Sequence, residues 1–110
     1  MNTKFDVEFC GDSREAMFFS VKTARGIDYS FFISDMETSI RFYVQREDYG
    51  IILRVAELSL SHIISFFDSG IEDPYSIDNR IPLITEFLQT QYTQAYIDNY
   101  NEIVDRAINR

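Results

Sequence analysis

One cysteine, one histidine and no tryptophan leave this chain short of the residues from which most protein chemistry is built. Cys10 alone excludes an internal disulfide, and with no Asn-x-Ser/Thr acceptor the sequence suits a reducing compartment, so a cytoplasmic location is expected. A structural zinc ion takes four Cys or His ligands, more than one chain offers here. A Cys10–His62 nucleophilic pair is arithmetically available, yet neither residue lies in a local motif and no third orienting group is marked. Both are expected to be structural, Cys10 as a small buried residue closing the first strand and His62 near a helix start.

Glycine is scarce as well. Gly11, Gly26, Gly50 and Gly70 each stand alone at a turn or cap, so no phosphate-cradling loop is present. Asp68, Glu72, Asp73 and Asp78 lack the alternating oxygen ligands of a calcium loop. The 18 carboxylates give many chance acid/base pairings, and their abundance singles out none. These absences predict a protein with no catalytic residue, no metal and no cofactor.

Long hydrophobic runs are missing too. The longest is Ala16-Met17-Phe18-Phe19, against the roughly 20 apolar residues of a membrane-spanning helix. The N-terminus carries charge where a secretory signal has its apolar stretch. No membrane association is expected.

What is present is apolar mass and negative charge. Ten Phe and seven Tyr contribute to a 45% hydrophobic composition in 110 residues, enough for one folded domain spanning residues 1–110. The formal charge is -8, and it is unevenly placed. Residues 1–55 hold nine acids and seven bases, residues 56–110 nine acids and three bases, and no lysine follows Lys22. Such a surface repels nucleic acid and anionic lipid, and attracts a basic protein.

Alternation dominates the first half. Phe5, Val7 and Phe9, then Met17, Phe19 and Val21, then Tyr29, Phe31 and Ile33, then Ile40, Phe42 and Val44 recur at the two-residue period of half-buried strands. Gly11-Asp12-Ser13, Ala24-Arg25-Gly26, Asp35-Met36-Glu37 and Glu47-Asp48-Tyr49-Gly50 separate them with turn chemistry. Ile51, Leu53 and Val55 extend a fifth strand. Leu58, Leu60, Ile63, Ile64 and Phe67 then suit a short helix capped by Ser59 or Ser61 and stopped at Asp68-Ser69-Gly70.

The tail has helical period. Asp78-Asn79 offers an N-cap, Pro82 falls within the first turn, and Ile81, Leu83, Ile84, Phe87 and Leu88 share a face. Tyr96, Ile97, Tyr100, Ile103, Val104, Ala107 and Ile108 share another, roughly 170° away on a continuous helix, so a break is expected near Gln91-Tyr92-Thr93-Gln94. The fold class that follows is α+β: an antiparallel meander of four to five strands over about residues 3–56, then two to three helices packed on one face.

Two features bear on partners. Tyr92, Tyr96 and Tyr100 form an aromatic stripe at helical spacing, suited to an interface or to a core rim. Asp98, Glu102 and Asp105 gather on the opposite face, where like charges three and four residues apart cost a few tenths of a kcal/mol per pair. Asp98, Glu102, Asp105, Tyr92 and Tyr96 are therefore the candidate partner-binding residues. The leading expectation is an inhibitor of the immunity type, which covers and neutralises a basic, nuclease-like toxin of interbacterial competition. A phage-encoded antagonist, such as an anti-CRISPR protein imitating nucleic-acid charge, predicts the same surface. From other classes, a pocket-bearing ligand-binding or enzymatic module, or a homo-oligomeric structural subunit, also accommodates the composition.

Overall fold

The computed structural model describes residues 5–13, 16–24, 26–36, 39–65 and 79–108. The alternating half forms β1 (Phe5–Asp12), β2 (Met17–Thr23), β3 (Asp28–Met36), β4 (Ser39–Arg46) and β5 (Ile52–Ser59). These pair antiparallel in chain order as one five-stranded meander. Helices α1 (Leu60–Ile64), α2 (Arg80–Leu88) and α3 (Gln91–Ile108) follow. The fold is α+β, with strands first and helices after, as the periodicities predict.

One face of the sheet holds the core. Phe19, Val21, Phe31, Ile33, Ile40, Phe42 and Val44 are buried there with Leu83, Ile84, Phe87 and Leu88 of α2 and Ile97, Tyr100 and Val104 of α3. Phe42 is the meeting point, its ring 5.5 Å from both Phe87 and Tyr96. Burying each such side chain contributes about 1.5–3 kcal/mol. Gly26 turns the chain between β2 and β3 at φ +81°, where a side chain would be strained.

Two bulges modify the alternation. In β1 the register slips between Phe9 and Gly11, so Gly11 rather than Cys10 faces Phe18. Cys10 is the extra residue of that bulge and is exposed, which corrects its expected burial. In β5 the register slips where Phe42 pairs with Ala56 and Tyr43 with Arg54, leaving Val55 between them. The core-facing positions switch there from Leu53 to Ala56 and Leu58. Leu58 thus belongs to the strand, not to the expected helix, and Ile51 lies before the strand with 40% of its surface exposed.

Ser59 is the N-cap of α1, its hydroxyl accepting from the His62 amide at 3.1 Å. Phe67 and the stop at Asp68-Ser69-Gly70 lie outside the described residues, as do Asp78 and the acids Glu72 and Asp73. The break between α2 and α3 falls at Gln89 and Thr90, slightly before the expected place. Thr90 explains it: its hydroxyl donates to Phe87 O at 2.7 Å and accepts from the Tyr92 amide at 3.4 Å, closing one helix and opening the next. Thr93 secures the corner by donating to Leu88 O at 2.6 Å.

Candidate functional site

Helix α3 is the element on which the sequence places its candidates. Thr93, Ile97, Tyr100 and Val104 are its buried residues, four positions at spacings of four, three and four. That stripe docks the helix on the sheet and leaves the other side to solvent. Asp98, Glu102 and Asp105 are all exposed there. Asp98 Oδ1 accepts from Gln94 Nε2 at 2.8 Å, and Glu102 Oε1 accepts from Arg106 Nη2 at 2.6 Å. The Glu102–Arg106 pair is solvent-exposed on both sides and worth only a few tenths of a kcal/mol. Three carboxylates against one guanidinium leave this face anionic.

The tyrosines lie elsewhere. Tyr92 stacks on Phe87 with centroids 5.8 Å apart and planes 8° from parallel. Tyr96 packs on Phe42, and burial, followed by the neighbouring Tyr92, pushes its phenol up to about 12. Tyr100 is fully buried and donates to Ile51 O at 2.5 Å. Positions 96 and 98 are about 200° apart around a helix, so the structure does not bring the tyrosines and the carboxylates into one patch. Tyr92 and Tyr96 are half-buried at the core margin.

Asp98 instead meets a groove the sequence did not reveal. A depression of about 630 Å³ runs between α3 and the β2–β3 turn, lined by Thr23, Ala24, Ile27, Tyr29, Asp98 and Asn101, among others. A neighbouring one of about 550 Å³ also borders Asp98, beside Gln91 and Gln94. Ile27 is 41% exposed at the rim, so the groove offers an apolar patch beside a carboxylate.

The groove has a braced end. Asn101 Nδ2 donates to the Tyr29 hydroxyl at 3.0 Å while its Oδ1 accepts from Arg46 Nη1 at 2.8 Å. Arg46 Nε donates to Asp48 Oδ1 at 2.6 Å, the main cause that raises the guanidinium above its ordinary value. Its remaining face lies 5.8 Å from the centre of the Tyr49 ring. A signal for this network did exist: Arg46 continues the inward parity of Ile40, Phe42 and Val44, and a charge at such a position requires polar partners.

The chain matches no family model, no curated protein and no solved structure. Its function has to be read from geometry. Among the described residues, no three His, Cys, Asp or Glu gather as metal ligands, and no helix is long and apolar enough to cross a membrane. His62 is exposed on α1.

Proposed function

We propose that this chain is a protein inhibitor that binds and neutralises a basic partner, of the kind an immunity protein forms with a nuclease-type toxin. The observation that carries this reading is the solvent face of α3. Asp98, Glu102 and Asp105 stand exposed along three helical turns, and Asp98 opens onto a groove with Ile27 at its rim. A cationic cleft built for phosphate meets such a ridge with complementary charge. A lysine or arginine from the partner can lay its stem on Ile27 and Ala24 and its head on Asp98. Charge sets the association rate, and the apolar contact sets residence. A phage-encoded antagonist that occupies a nucleic-acid groove uses the same surface, and the partner's identity separates the two.

The test is co-expression with the products of neighbouring genes, followed by binding kinetics at low and high salt. One basic protein captured in equal amount is expected, its activity blocked and its association slowed as salt rises. Reversing the ridge with D98K, E102K and D105K together should slow association about tenfold or more at low salt and flatten the salt dependence. Association in the triple variant that is as fast as before removes the ridge from the reading.

A further inference from the structure

The sheet has a second face, and its centre is aromatic. Across the strands, the register aligns Gly11 of β1, Phe18 of β2, Phe32 of β3, Tyr43 of β4 and Arg54 of β5 in one row. This row alternates with the core-facing residues and so lies on the side away from the buried helix residues. Phe18 and Phe32 meet edge to face, with centroids 5.4 Å apart and planes at 83°. Neither they nor Tyr43 belong to the core or to the residues packed against it. The ends of this face are oppositely charged. Asp6 and Glu8 project from β1, opposite Lys22 and Ser20 in the register. Arg54 projects from β5, and among the described residues it forms no hydrogen bond or ion pair.

We propose that this face pairs with the same face of a second copy, about a two-fold axis running along β3. With five strands in linear order, that axis sets β3 over β3 of the other copy, β2 over β4 and β1 over β5. Phe32 then meets its own counterpart on the axis, and Phe18 meets Tyr43 twice. Each Arg54 arrives over Gly11, within reach of Glu8. Nothing lies within 4 Å of where a Gly11 side chain would begin, which leaves room for the incoming guanidinium. The alternative axis, perpendicular to the strands, stacks β1 on β1 and faces Asp6 and Glu8 with their own copies, a like-charge contact that disfavours it.

The dimensions set the strength. Five strands at about 4.8 Å spacing and eight residues at about 3.3 Å make a face of roughly 500 Å² per copy, or about 1,000 Å² in all. That is the lower bound for a specific interface, so the dimer is weak and forms in about the micromolar range. An open sheet with an aromatic row also suits base stacking, but a net charge of -8 and two carboxylates on the same face oppose phosphate. The proposal does not rest on the inhibitor reading. Helix α3 packs on the other face, so either can fail alone.

Sedimentation velocity over a concentration series decides it. The unmodified chain should show a reversible monomer–dimer equilibrium. F32E, E8R and R54E should each raise the dimer Kd about tenfold or more, and E8R combined with R54E should return it to within about threefold of the starting value. An unchanged thermal transition in each variant keeps the comparison to folded protein, and the charge-swap rescue does not depend on Phe32. A monomer at every concentration, a dimer indifferent to these substitutions, or a double reversal without rescue overturns the proposal. So does a monomer that binds a single-stranded thymidine oligonucleotide through Phe32, which assigns the row to nucleic acid instead.

Discussion

Phe31 and Phe32 are neighbours in sequence and opposites in structure. Phe31 points into the core, fully buried and paired across the sheet with Phe19. Phe32 points the other way, paired with Phe18 in the aromatic row. The same residue type thus does two jobs one position apart, because a strand sends successive side chains to opposite faces. On the covered face, phenylalanine contributes by leaving water altogether. On the open face it contributes chiefly by touching another ring, and much of the stabilisation available from burying it has not been drawn on.

The sharpest way to break that comparison is to truncate each ring in turn. Phe31→Ala removes a fully buried ring and leaves a cavity, so it should cost about 3–5 kcal/mol, a large share of the stability of a small domain. Phe32→Ala removes one cross-strand pair and leaves no cavity, for about 1 kcal/mol or less. Urea unfolding at a protein concentration low enough to keep the chain monomeric measures both. Equal costs would mean that the open face is as tightly packed as the core and that the distinction is false.

Much of this division is legible in the alternation alone. Phe19 and Phe31 follow the inward parity of Val21 and Ile33, so the first four strands and their core faces can be read directly. What the pattern hides are the places where parity changes. In β5 the apolar spacing Leu53, Val55, Leu58, Leu60 mixes steps of two and three, which resembles a helix turn. It is instead a strand with a bulge at Val55, and a bulge is specified by the partner strand, not by its own residues. Cys10 misleads for the same reason. On α3 the sequence separates the acidic face from the apolar one correctly, but the groove beside Asp98 is made with Ile27 and Tyr29, some seventy residues earlier. No local period can announce a contact across that distance. The tyrosine stripe is visible at once, whereas its packing on Phe42 and Phe87 depends on where α2 stops.

A smaller effect sharpens the comparison on the covered side. Tyr96 lies against Phe42, and its phenol is held up at about 12 chiefly by burial. A raised value means that the folded state favours the neutral form. The associated stability is fully present below pH 10, the ordinary tyrosine value, and is lost as pH climbs toward 12. Tyr96→Phe abolishes that ionisation. Its urea midpoint should therefore fall less steeply than that of the unmodified chain between about pH 10 and 12. Parallel slopes would place the Tyr96 ring in water, not on the core.

The smallest effect belongs to the open face, and its sign is the reverse. Glu57 Oε2 accepts from the Ser39 hydroxyl at 2.6 Å and from Arg41 Nε at 3.3 Å. The Ser39 bond first, and then Arg41, hold the carboxyl below its ordinary value of 4.5. A lowered value means that the folded state favours the charged form, so the contribution is present above pH 4.5 and fades as pH falls through the folded value. Because the pair is exposed and screened, Glu57→Gln should shift the urea midpoint only slightly at neutral pH, and less still at pH 3 or in high salt. A shift that persists undiminished in acid or salt would mean that Glu57 is shielded from solvent. The open face would then be covered even in the monomer, and the contrast between Phe31 and Phe32 would owe nothing to exposure.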